Sequence, residues 1–202
     1  RMASTVDTLS RGRLELGVGV GWQEAEYRAV GVPFTARGRV LDETLRVCQA
    51  LWTQDEVTYA GRGFALESVH MMPKPVSPEG VPIWVGGRAI PAPARRLARY
   101  GTGWIPWGVT PATLAGALKR MRELVEEHGR DFAAVRVSYA LPTVARDGRL
   151  DYARMFADVP EALALGVTDF RTLARIPADY PAARDFLDEL CGRFRDATDG
   201  RG

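Results

Sequence analysis

"GRLELGVGVGW", Gly12 to Trp22, is the stretch on which the fold turns. Leu14, Leu16, Val18 and Val20 alternate there with Glu15, Gly17, Gly19 and Gly21. In an extended strand this puts the leucines and valines on one face and the glycines on the other. The apolar face suits packing under helices. The bare face suits the mouth of a barrel, where missing side chains make room for a flat ligand above the C-terminal end of the strand. A second reading of the same glycines is relief of a crowded barrel interior, with no ligand. A dinucleotide fingerprint fails on spacing. G-x-G-x-x-G needs a glycine three positions after Gly19, and Trp22 stands there.

Working outward, strand and helix periods alternate along the chain. Upstream, "RMASTVDTLSRGR" reads as the tail of a helix running into a polar turn. Downstream, "RVLDETLRVCQALW" places Leu41, Leu45, Cys48 and Leu51 or Trp52 on one helical face. Residues 53–81 are rich in Gly and Pro and lack helical periodicity, which predicts an insertion between strands with a small hairpin. "VPIWVGG" is a strand, and the helix expected from Ala89 to Tyr100 carries Pro91 and Pro93, which fit only its first turn. "GWIPWG" is again a strand, followed by a helix opened by Thr110 and Pro111 and closed by Gly129. "VRVSYALPTV", a helix from Asp151 to Leu165, "VTDFRTLA" and a helix from Pro181 to Ala197 complete five β/α units. Such alternation predicts an α/β fold with a parallel sheet covered by helices.

Composition bounds the partners. The chain has 202 residues, 46% hydrophobic and 26% charged, enough to bury a core. With 27 basic against 25 acidic residues there is no excess to neutralise phosphates along a duplex, so no nucleic-acid partner is expected. No apolar run approaches the roughly 18 residues of a membrane span and no signal peptide opens the chain, which predicts a cytoplasmic protein away from membranes. Cys48 and Cys191 fall on apolar helical stripes and are expected as buried thiols. His70 and His128 lack metal-ligand spacing, so no metal site is expected.

Three stretches, "TLSRGRLELGVGVGWQEAEYRAVGVPFTARGRVLDETLRVCQALW", "GRGFALESVHMMPKPVSPEGVPIWVGG" and "RRLARYGTGWIPWG", together resemble the luciferase-like monooxygenase superfamily. Within it they look like the oxidoreductases dependent on coenzyme F-420 (F420). The similarity is dense from Leu9 to Gly108 and thinner afterwards, although "ALGVTDF" also resembles the family. The resemblance implies a TIM-type (β/α)8 barrel with F420, or alternatively FMN, at its C-terminal face, and hydride transfer to or from a small organic substrate. Val85, Gly86, Gly87 and Arg88 match the coenzyme-contacting segment, and Gly17, Gly19, Gly21 and Trp22 complete the cofactor-binding set. A strand ending in Gly-Gly before a helix presents free N–H groups and the positive end of the helix dipole, which suits a phosphate, and Arg88 could add a charge-assisted bond. The alternative is a tight turn with a solvated arginine. Glu26 and Tyr27 also match the family pattern, or serve as a helix-entry charge and a packing ring. Where the family has Gly-Asp-Gly-Trp, this chain has Gly101, Thr102, Gly103 and Trp104.

Barrels of this kind run to about 250 residues, and the resemblance begins at the helix before the fourth strand. The expectation is therefore one barrel domain over residues 1–202, incomplete at its N-terminus, with five C-terminal β/α units and the insertion at 53–81. The family draws much of its ring-contacting surface from the first three units, including a non-proline cis peptide on the third strand, so no catalytic residue is named. Five parallel strands cannot close, and an open edge invites pairing. A homo-oligomer or a complementing N-terminal segment is the expected partner, beside the substrate. A non-catalytic remnant that binds no coenzyme is the competing reading.

Overall fold

The computed structural model describes residues 1–146 and 149–199. Two compact units divide the chain, Arg1–Trp107 with Arg120–Val135, and Gly108–Lys119 with Arg136–Gly202. In chain order the elements are α1 (Met2–Ser10), β1 (Leu16–Val18), α2 (Glu24–Ala29), α3 (Arg37–Thr53), β2 (Val57–Ala60), β3 (Ala65–Val69), β4 (Ile83–Gly87), α4 (Pro91–Tyr100) and β5 (Gly103–Pro106). They continue with α5 (Pro111–Glu126), β6 (Arg136–Ala140), β7 (Ala145–Arg146), β8 (Arg149–Leu150), α6 (Tyr152–Phe156), α7 (Val159–Ala164), β9 (Asp169–Arg171) and α8 (Tyr180–Thr198).

The five strands expected to be parallel are parallel. In the first unit β1 and β5 flank β4, with Gly17 opposite Trp84 and Trp84 opposite Gly103. In the second unit β6 lies parallel to β9, with Tyr139 opposite Phe170. The 53–81 segment folds β2 against β3 as an antiparallel hairpin. Its "GRG" turn is pinned to α3, where the Glu43 carboxylate accepts from the Gly63 N–H at 3.1 Å.

Burial follows the period-two pattern. Leu16 and Val18 are half covered while Glu15, Gly17 and Gly19 are exposed. On the helix-facing side of β4 and β5 lie Ile83, Val85 and Trp104, all buried with Ala94 and Leu97 of α4. α4 is tied to α3 by Arg96, 6% exposed, whose Nε donates to Asp42 Oδ1 at 2.5 Å and whose Nη2 donates to the Gly38 carbonyl at 3.0 Å.

Three elements differ from expectation. α4 begins at Pro91 rather than Ala89, because the residue before a proline is driven out of the helical region, and Ile90 sits extended at φ −132°. The helix expected over Asp151–Leu165 is two short ones, α6 and α7. Pro160 has no N–H to donate back to the last residue of α6, so the ladder breaks there. Against the expectation of two buried thiols, Cys48 is half-buried and Cys191 is exposed. It sits on α8, none of whose residues is fully buried.

Candidate functional site at the strand ends of the first unit

The cleft is built from two layers on the glycine face. In the lower layer the indole of Trp84 fills the room that its neighbours leave open. A Cβ on Gly103 would lie 2.4 Å from it. Trp84 Nε1 donates to Glu15 Oε2 at 2.8 Å, which anchors the ring. Two residues further along the strands come Gly19, Gly86 and Ile105, with Gly86 opposite Ile105 in register. A Cβ on Gly19 would meet nothing nearer than the Gly86 carbonyl at 3.9 Å. Side chains are thus absent where β1 and β4 end, and a cleft of about 210 Å³ opens there. Gly19, Gly21, Gly86 and Gly87 line it with backbone, Val20 and Ile105 add apolar surface, and Trp22 and Trp107 stand at its rim, 69% and 62% exposed.

The lip is held by Tyr27 of α2, whose hydroxyl donates to the Val20 carbonyl. Its ring packs edge-on to Phe34 at 5.5 Å. Gly21 takes φ +71°, and a Cβ there would press on the Tyr27 ring at 3.3 Å. Tyr27 is therefore the packing ring of its two readings, and Glu26 is exposed.

The turn after β4 is fixed by its carbonyls. The Gly87 oxygen accepts from Trp104 Nε1 at 3.0 Å and from the Trp107 N–H at 3.2 Å. The Arg88 oxygen accepts from the Ile90 N–H at 2.8 Å. The backbone N–H groups of Arg88 and Ala89 have no acceptor among the described residues, and the exposed Arg88 guanidinium has no ion-pair partner there. α4 adds less than a helix N-terminus usually does. Positions one and three are Pro91 and Pro93, so Ala92 alone supplies a free N–H in its first turn.

Of the eight residues expected to bind the cofactor, Gly19, Gly21, Trp22, Gly86 and Gly87 meet at the cleft. Gly17 lies one layer below, beside Trp84. Arg88 stands just past the rim. Val85 does not take part. It is 1% exposed on the helix-facing side, because alternation from Gly86 turns it away from the cleft. Gly87 shares that side, and a Cβ on it would strike the Pro93 ring at 2.8 Å rather than enter the cleft. Ile105 was not in the expected set. The period-two reading of "GWIPW" carries the signal for Ile105, which falls on the side opposite Trp104. Thr102, in the place of the family aspartate, bonds the start of β4 through its N–H and hydroxyl to the Ile83 carbonyl, at 2.7 and 3.2 Å.

The cleft fits a flat, phosphate-bearing group in kind: a floor of backbone that a Cβ would fill, aromatic rims, and unpaired N–H groups beside a free guanidinium. The model of the luciferase-like monooxygenase family matches residues 1–190. The chain belongs to this family. An uncharacterized protein of Mycobacterium tuberculosis is 35% identical over 130 residues, 64% of this chain and 44% of the relative. The pyrimidine monooxygenase RutA of Escherichia coli is 30% identical over 159 residues, covering 76% of this chain and 43% of that enzyme. The chain thus spans less than half the length of these two relatives. Among solved structures, an F420-dependent secondary alcohol dehydrogenase with an F420–acetone adduct superposes at TM-score 0.72 and 18% identity, over 96% of this chain and 73% of that one. The F420-dependent tetrahydromethanopterin reductase of Methanopyrus kandleri superposes at 0.60 and 17% identity, over 95% and 69%. The fold is the luciferase-like TIM-barrel fold, over part of its length.

Among the described residues, no three His, Cys, Asp or Glu side chains gather as a metal ion would require. No helix among them is long and apolar enough to cross a membrane.

Proposed function

We propose that the protein is an oxidoreductase that holds F420 on the ledge of Gly19 and Gly86 and serves hydride transfer between that coenzyme and a small organic substrate. The observation that carries this reading is the cleft at the ends of β1 and β4, where four glycines let a ring approach bare backbone. Trp22 and Trp107 offer aromatic faces to its edges. The N–H groups of Arg88 and Ala89, with the Arg88 guanidinium, offer charge-assisted contacts to its phosphate. Val20 and Ile105 keep water from the ring. The coenzyme, when bound, supplies the hydride chemistry, and the chain orients it. Likeness to two F420-dependent enzymes supports the choice of coenzyme.

FMN with monooxygenation is the second reading, favoured by the sequence likeness to a pyrimidine monooxygenase. The deciding experiment is a fluorescence titration of F420 and of FMN into the protein. Saturable binding of F420 with weaker FMN binding is expected. Saturation by FMN alone selects the second reading, and binding of neither removes both.

A further inference from the structure

A second cavity of the first unit, about 530 Å³, lies at the other ends of the strands, under the residues that lead into β4 and β5. Arg46, Gln49, Arg99, Tyr100, Thr102 and Arg130 contribute to its wall. We propose that this cavity binds a compact polyanion, a molecule with clustered phosphate or carboxylate oxygens, through Arg46, Arg99 and Arg130.

The argument rests on charge without a counter-charge. Arg130 Nη1 donates to the Leu97 and Ala98 carbonyls at 2.9 and 3.4 Å, at the C-terminal end of α4. Its Nε and Nη2 have no acceptor among the described residues. Arg99 lies over the Tyr100 ring, its Cζ 5.2 Å from the centroid. Tyr100 and Tyr59 stand beside Arg46 and push its pKa above the usual guanidinium value. None of these partners is a carboxylate. None of the three arginines is in an ion pair among the described residues. Glu79 is the single acidic residue in the wall. Arg95 and Arg96 differ from these three in sharing the carboxylate of Asp42.

Three guanidinium groups around one cavity repel one another, and a ligand with two or more negative oxygens converts that repulsion into attraction. The planar fork of arginine matches phosphate and carboxylate alike. Arg130 is already fixed by its backbone bonds, so little of its freedom is lost on binding. The cavity is set apart from the strand-end cleft by the length of β4.

The test is calorimetric titration of pyrophosphate, and separately of citrate, into the protein at constant ionic strength. Saturable binding of at least one is expected. Pyrophosphate alone assigns the site to phosphates, citrate alone to carboxylates. Arg46→Gln and Arg99→Gln leave the α4 cap intact, and each should weaken binding about tenfold. Arg99→Gln, at an exposed position, gives the comparison should Arg46→Gln not fold. Gly19→Val, in the other cleft, should leave the affinity unchanged. The proposal is overturned by absence of binding for both anions, by equal affinity in the arginine variants, or by loss of binding in Gly19→Val.

Discussion

Trp84 occupies the space that Gly103 leaves on the neighbouring strand: a Cβ on Gly103 would stand 2.4 Å from the indole. Two strands thereby share one side chain beneath the cleft. Gly103→Ala should cost about 1–3 kcal/mol by overpacking, read as a fall in the urea midpoint. Gly116→Ala on α5, where a Cβ meets nothing within 4 Å, should instead stabilise by about 0.5–1 kcal/mol. Equal effects of the two would mean that the indole does not define the layer.

Asp42 joins two arginines of unequal burial, Arg96 at 6% and Arg95 at 53% side-chain exposure. Asp42→Ala leaves the Arg96 charge buried with the Gly38 carbonyl alone, at a cost of about 3 kcal/mol. Arg95→Ala removes an exposed pair and should cost under about 1 kcal/mol. Denaturant unfolding of both variants checks the ratio.

In the cleft, Arg88→Ala should weaken F420 binding about tenfold to a hundredfold by loss of one charge-assisted bond. Gly19→Val should weaken it further while leaving the unfolding midpoint in place, since its side chain enters open space. Gly87→Val should lower the midpoint by collision with Pro93. Unchanged F420 affinity in both Arg88→Ala and Gly19→Val would move the site elsewhere.

The two thiols should part in reactivity. Burial pushes the Cys48 pKa up, which lowers its thiolate fraction at any given pH, while Cys191 is exposed. Alkylation with iodoacetamide at pH 8, followed by peptide mass spectrometry, should modify Cys191 first. Modification of Cys48 at the same rate would contradict the burial assigned to α3.

Period-two alternation put Gly17 and Gly19 on one face of their strand from the sequence alone, and the same pleating, applied to β4 and β5, puts Trp84, Gly86 and Ile105 on that side. It likewise turns the Val85 side chain, and any side chain placed at Gly87, away from the cleft. Matching whole motifs hid this, since "WVGGR" reads as one unit while its side chains diverge. α2 was not anticipated: six residues with Tyr27 as their anchor carry too little periodicity, and the anchor is a tertiary bond to Val20. The break between α6 and α7 was written in Pro160 and was overrun by the apolar pattern on either side. The exposure of Cys191 depends on how closely α8 is covered, which no local pattern encodes.

The contact between Gly87 and Pro93 makes the two positions a pair for protein engineering. At Gly87 there is no room for a new side chain unless α4 gives up a proline, and at Gly86 a Cβ would press on the Val18 carbonyl at 3.3 Å, so single substitutions along that wall strain the fold. β1 has no such partner at Gly19. A library meant to reshape the ligand preference of this chain should therefore be seeded from Gly19 and Trp22, leaving the wall opposite untouched.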